Sequence, residues 1–422
     1  MKKLLLVVLA IAMTAAFTVP AEATQSRVAA LGGYGRYLED DFNIFEWPAT
    51  LPSYGNMAWI ELMTEQFWFD SDCPEDLDCY EIIPAIGAAL TLGEDGKFGT
   101  LAMFFYNYSE PLNPFWNADM WVPWNSDDPF MWSNAHKFHV LYGYAMEGLQ
   151  FGFALTRSDD SYKYENGSTY EYHDAYTTIS AGVRFDVGEA AYMDINVDLG
   201  MGSTLYDYEY SSYGEISEDG NMIYGVKARM FYEWNETVTW VPYFGWTSYD
   251  FSFKADSADY NDDYWGDKGM MMEFGIGANI AVNDDNLLLF AVEPFNYYKR
   301  EPSAIPDGVE GDWSTTYTVM PRFILGLESD VKDWLTFRMG GVHELMKGEW
   351  KYAGEGEEWT ETGTGSYFSY YMGLGFHVGD WDIDCVLNNA TPFRLGYWLT
   401  GMGQDESDDE VAAWIFSAKY HF

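Results

Sequence analysis

Basic residues are scarce in this chain: 22 Lys and Arg stand against 67 Asp and Glu, giving a formal net charge of −45. A surface so acidic repels nucleic acid and attracts cations, which excludes nucleic-acid binding as a function class. The six histidines, His136, His139, His173, His343, His377 and His421, are scattered, and with only three cysteines they supply no four-ligand set, so no metal centre is expected. Cys73 and Cys79 flank a short acidic stretch and are candidates for a loop disulfide in an oxidising compartment, with Cys385 left over. Long apolar runs are also missing. Past the first residues nothing approaches the roughly 18 to 20 uninterrupted apolar residues of a membrane helix. There is no Gly-x-Ser-x-Gly elbow, phosphate-cradling glycine loop or His-Glu-x-x-His, so neither catalysis nor a cofactor is expected, although a triad assembled across strands stays open.

What is present is alternation. The chain is 48% hydrophobic and 19% aromatic, yet its mean hydropathy is only −0.24, as expected where apolar and polar residues take turns along strands. A sheet closed into a barrel is the bilayer-spanning structure such a pattern permits, because closure pairs every backbone donor and acceptor. Residues 1–23 read as a secretory leader: Lys2 and Lys3, an apolar stretch from Leu4 to Phe17, then Ala21-Glu22-Ala23 as a small-x-small cleavage site. The expected fold is all-β, a transmembrane antiparallel barrel spanning residues 56–422, of about sixteen strands with fourteen allowed.

The C-terminal strand carries this reading. Phe422, Tyr420, Ala418, Phe416 and Trp414 share an apolar face, while His421, Lys419, Ser417 and Ile415 share the other. Tight turns are expected at Gly93 to Lys97, Glu147-Gly148, Gly188 to Ala190, Asn235-Glu236, Asn283 to Asn286, Asp330 to Asp333 and Gly379-Asp380. Longer, acidic or aromatic loops are expected near 70–79, 109–134, 158–171, 203–221, 252–268, 299–314, 347–364 and 391–409. Alternate short turns and long loops are the rhythm of an outer-membrane barrel.

Residues 24–55 do not read as a strand. They hold Arg27, then Leu31-Gly32-Gly33, the acidic pair Asp40-Asp41, and Trp47-Pro48-Ala49. With the terminal Phe strand, this pattern resembles the fatty-acid-transporter-like outer-membrane barrels and the related secretion-system barrels. The resemblance implies that residues 24–55 form a hatch in the barrel mouth, with Arg27, Gly32, Gly33, Asp40, Asp41 and Pro48 as its marked positions. It also implies a hydrophobic solute, a lateral opening in the wall with Pro242 and Pro294 as candidate kinks, and recognition of the last strand by the barrel-assembly machinery.

Alternation assigns the lumen face to Arg184, Asp194, Asp198, Lys227, Arg229, Glu273, Arg322, Arg338, Asp382, Asp384 and Lys419, because a charge facing lipid near the midplane costs on the order of 2 to 4 kcal/mol. These are the candidate constriction residues, or else salt-bridge ladders that stiffen the lumen. Tryptophans near strand ends, among them Trp59, Trp234, Trp240, Trp334, Trp350 and Trp381, fit interfacial girdles. The proline-rich loop with Phe115, Trp116, Trp121, Trp124, Phe130 and Trp132 is a candidate apolar lip at the outer mouth, or a loop packed on its own rings. Together these features predict a porin-like channel for small solutes, embedded in outer-membrane lipid. A non-transporting barrel whose outer loops dock a partner protein is the alternative.

Overall fold

The computed structural model describes residues 25–66, 80–106, 136–165, 169–208, 215–218, 221–256, 264–304, 312–354, 357–387 and 413–422. The expected bridge between Cys73 and Cys79, and the aromatic lip from Phe115 to Trp132, lie outside them. A short inner segment comes first: helix α1 (Gln25–Ala30) and three 3-10 turns, Gly35–Tyr37, Asp41–Phe45 and Pro48–Ser53.

The wall follows: β1 (Met57–Gln66), β2 (Tyr80–Thr91), β3 (Thr100–Tyr106), β4 (His136–Met146), β5 (Leu149–Glu165), β6 (Thr169–Asp186) and β7 (Ala191–Tyr208). Next come β8 (Glu215–Glu218), β9 (Asn221–Glu233), β10 (Val238–Asp256), β11 (Tyr264–Asn283), β12 (Asn286–Ala304) and β13 (Asp312–Lys332). The last are β14 (Leu335–Gly354), β15 (Glu357–Val378), β16 (Trp381–Leu387) and β17 (Ala413–His421). Both β8 and β9 lie between β7 and β10, as two halves of one wall strand, so the barrel has 16 strands. It closes because β1 pairs antiparallel with β2 and also with β17, where Met57 faces His421. The last strand thus meets the first, and among the described residues every strand is paired on both sides.

All seven expected tight turns join neighbouring strands at one end. The long loops are a correction. Strands continue through most of 158–171, 203–221, 252–268, 299–314 and 347–364, and β13, β14 and β15 run 21, 20 and 22 residues. Acidic side chains concealed this, since they are as comfortable on a strand projecting into water as on a loop.

Outward side chains such as Phe153, Val197, Phe274, Phe290, Phe323, Leu325 and Phe368 are exposed and apolar. Trp234, Trp240, Trp334 and Trp381 are exposed too, as a girdle requires. Trp59 is not: it is buried in the lumen between Phe45 and Phe104, at ring distances of 5.5 and 5.3 Å. Trp350 also shares the inward face of β14 and donates from Nε1 to the Tyr317 hydroxyl at 3.3 Å. Of the two prolines singled out, Pro294 sits where the β11–β12 register slips, whereas Pro242 faces Ile276 in an unshifted ladder. A second slip falls between Val319 and Arg322 in β13.

Candidate functional site

The inner segment lies inside the barrel toward the short-turn end. Its path follows from local chemistry. Helix α1 stops where Gly32 and Gly33 take φ of 108° and 80°, and Gly33 N–H closes the last turn on the Val28 carbonyl at 2.8 Å. Asp40 caps the next turn by accepting from Phe42 N–H at 2.8 Å. Pro48, with its fixed φ and no N–H to satisfy, opens the last turn.

Glycines on the lumen face make room for this path. A Cβ on Gly152 would stand 2.0 Å from the Pro48 carbonyl, and one on Gly340 would stand 2.3 Å from that of Leu31. Tyr37, Trp47 and Leu31 are then buried with Tyr243, Leu289 and Ile324 of the wall in one apolar cluster, while Ile44 and Leu51 pack with Trp59, Phe104 and Leu141 in another.

Between these clusters runs a belt of ion pairs. Arg27 reaches Asp40 at 3.2 Å and Glu328 at 2.7 Å; Arg338 also holds Glu328, at 2.6 Å, and pairs with Asp384. Lys419 binds Asp41 and lies 3.8 Å from Asp382, which His377 and His421 approach at 2.7 and 3.0 Å. Arg36 reaches Glu273 at 2.8 Å and Glu293 at 3.5 Å, Tyr37 donates to Glu293 at 2.7 Å, and Arg322 joins Glu293 to Glu344. Arg184 bridges Glu39 at 2.8 Å and Asp194 at 2.6 Å. Lys227 bridges Glu46 at 3.2 Å and Asp198 at 4.0 Å.

Arg229 is held most closely. It pairs with Asp194 at 2.9 Å, directs Nη1 at the carbonyls of Gly35, Arg36 and Leu38 within 3.2–3.3 Å, and stacks over Trp47 at 4.6 Å. At the seam, Ser26 touches Ser417 at 2.6 Å and Ser417 donates to the buried Glu61 at 2.8 Å.

The eleven lumen residues expected from alternation lie on the inner face. Arg184, Lys227, Arg229, Glu273, Lys419 and, over the Tyr34 ring, Arg322 meet residues 25–55, whereas Asp194, Asp198, Arg338, Asp382 and Asp384 pair with other wall residues. Sequence reasoning passed over Arg36, Glu39, Glu46, Glu293, Glu328 and Glu344. The signal for three of them was available, since Glu344 shares parity with Arg338, Glu328 with Arg322, and Glu293 precedes Pro294.

Burial sets the protonation of the inner segment. Asp40 is pushed up to about 7 by burial and by Asp41, against the pull of Arg27. Burial also raises Glu46, but Lys227, with Arg36 and Arg229, more than offsets it and holds that carboxyl below its ordinary range. Buried pairs of this kind do little for net stability, because desolvation offsets the attraction; removing one partner costs several kcal/mol, so they fix position.

Nearer the long-loop end the lumen changes character. Ile223, Tyr249, Met271 and Tyr298 form a buried layer, with Tyr176 and Tyr317 against it. Tyr298 and Tyr317 stack at 6.1 Å, and the rings of Tyr176 and Tyr249 lie over Gly202 and Gly269.

No family model matches the chain, and no curated protein matches it. Among solved structures it is similar to the toluene transporter TbuX of Ralstonia pickettii, at 11% identity over 96% of this chain and 99% of that one, TM-score 0.42. It is similar to the toluene transporter TodX of Pseudomonas putida at 10% identity over 96% and 97%, TM-score 0.37. It is also similar to the alcaligin outer-membrane receptor FauA of Bordetella pertussis at 6% identity over 87% and 76%, TM-score 0.41.

Proposed function

We propose that this chain is an outer-membrane channel for small solutes and that residues 25–55 are its plug. The observation that carries the reading is the inner segment itself, clamped by ion pairs across a lumen whose wall glycines admit its backbone. The apolar exterior and the closed ladder fit a lipid surround, and both suit a chain inserted by the barrel-assembly machinery through its last strand. The tyrosine layer above the plug favours solutes with apolar surface. Acids outnumber cations among the belt residues named above, which disfavours carboxylate solutes and favours neutral or cationic ones.

A reversible lock tests this. The Cβ of Ala49 would stand 3.4 Å from one on Gly182, close to disulfide geometry. A49C/G182C in a C385S background is expected to be silent in a planar bilayer when oxidised and to conduct, with cation preference, once reduced. Equal conductance in both states refutes the plug. Silence in both, with a folded barrel, favours the docking barrel.

A further inference from the structure

Above the ion-pair belt the inner face of β12–β15 changes chemistry. Cross-strand pairing sets its inward residues in rows. One row is Tyr298, Tyr317, Gly348 and Gly363. Two residues closer to the long-loop end come Arg300, Thr315, Trp350 and Glu361, and beyond them Tyr352 faces Trp359. Successive rows lie about 7 Å apart along the strands. Buried Tyr298 and Thr315 fix the inward parity, as does the bond from Trp350 Nε1 to the Tyr317 hydroxyl.

The rings in these rows are arranged as surfaces. Tyr298 and Tyr317 stack at 6.1 Å with 27° between their planes, and Tyr352 and Trp359 at 5.8 Å with 24°. The Tyr317 ring lies over Gly348, where a Cβ would stand 3.3 Å from it, and a Cβ on Gly363 would meet nothing within 4 Å. The two glycines therefore leave a recess, with Tyr317 beside it and Trp350 and Glu361 in the row above. Trp350 and Trp359 are exposed whereas Tyr298 is covered, so the ring surface opens toward the long-loop end.

Polar groups stand between the rings. Arg300 brings donors, Glu361 brings acceptors and Thr315 brings both; Tyr317, accepting from Trp350 at 3.3 Å, keeps its own proton to donate. Among the described inward positions of β12–β15 beyond Glu344, the charged residues are Arg300 and Glu361, one of each sign. An ionic solute gains no net attraction from such a row. A hydrocarbon would strip water from Arg300 and Glu361 without replacing its hydrogen bonds. A neutral molecule with apolar ring faces and a rim of hydroxyls satisfies both kinds of surface.

We propose that this recess binds a neutral saccharide, with sugar faces on Trp350, Tyr352 and Trp359 and hydroxyls on Arg300, Thr315 and Glu361. Tyr317 and Tyr298 continue the ring surface toward the plug. The inference rests on the channel reading, whose solute it names, but the binding is measured without transport.

The test is calorimetric titration of the full chain with maltohexaose, cellohexaose and xylohexaose, in an amine-oxide detergent that carries no sugar. At least one of these is expected to bind. Trp350→Ala and Glu361→Gln should each weaken that binding roughly tenfold or more, and Trp234→Ala, at the short-turn end, should leave it unchanged. Heat-modifiable mobility on gels verifies that each variant is folded, and Glu361 is exposed, so its charge can be removed without disturbing the wall. Failure of all three saccharides to bind overturns the proposal, as does undiminished binding by either variant. Toluene that binds where the saccharides do not makes the recess a hydrocarbon site and overturns it too. A chain that conducts but binds no saccharide keeps the channel reading and loses this site; one that binds without conducting keeps the site and loses the channel.

Discussion

Arg27 and Glu328, 301 residues apart in sequence, meet through two parallel hydrogen bonds of 2.7 and 2.8 Å, Nε to Oε2 and Nη2 to Oε1. This two-pronged contact ties α1 to β13, and Arg338 of β14 closes on the same carboxylate from the wall side. The fork of a guanidinium matches a carboxylate in one orientation, which makes the pair a positioning device for the whole inner segment.

Glu328→Gln should therefore loosen the segment rather than the barrel. Arg27 keeps Asp40 and Arg338 keeps Asp384, but two buried cations lose their shared acid. The expected cost is roughly 3 kcal/mol, read in urea unfolding of the segment by Trp47 fluorescence, with heat-modifiable mobility of the barrel unchanged. A loss of barrel mobility at the same urea concentration would mean that segment and wall unfold as one.

The Arg27–Glu328 contact also marks how much could be read from sequence. Periodicity of two identified the wall, the tight turns and eleven inward charges, because a lipid-facing charge is costly enough to leave a strict pattern, but it did not single out Glu61, Glu293, Glu328 or Glu344, which lie on the same inner face. Trp59 escaped that logic: an aromatic at a strand start suits a lipid girdle and a lumen cluster equally, and only the packing of Phe42 and Phe45 decides between them. Strand length escaped as well, since a strand that leaves the membrane no longer alternates apolar with polar. The partners of Arg27 and Arg229 are set by how the segment folds back, which no periodicity encodes.

Arg229→Leu should be more damaging than the removal of any exposed cation. It leaves Asp194 with Arg184 alone and strips one donor from the carbonyls of Gly35, Arg36 and Leu38. Protease cleavage within residues 25–55, followed by mass spectrometry, should rise about tenfold or more if two of those hydrogen bonds go unreplaced. Lys351→Leu, a change on the outer face, should leave the cleavage rate where it was.

The seating of the segment should also depend on pH through Asp40. Its carboxyl is raised to about 7, because burial and Asp41 outweigh Arg27. An acid whose folded value lies above its unfolded one holds a proton that the unfolded chain gives up. Its contribution is complete below about 4 and is lost as pH rises through 7. Protease susceptibility of residues 25–55 should thus increase between pH 5 and pH 8, and Asp40→Asn, which preserves the cap, should flatten the profile. A wild-type profile that is flat, or that slopes the other way, removes Asp40 as the titrating group.

Gly152→Ala is the sharpest test of whether the wall was shaped for its plug. Strand β5 carries no other demand for glycine at this position: its neighbours Phe151 and Phe153 face outward, and its partner Gly143 leaves space on the lumen side for Pro52. The added methyl would stand 2.0 Å from the carbonyl carbon and oxygen of Pro48, both backbone atoms that no rotamer change can move. The segment must then shift away from β5, which would pull Glu39 from Arg184 and Glu46 from Lys227. In a plugged channel this raises conductance, while Gly363→Ala, with nothing within 4 Å of the new methyl, leaves it unchanged. Because alanine is a better strand residue than glycine, the barrel itself should be no less stable in urea, so a gain in current without a loss of fold isolates the plug as the element that moved.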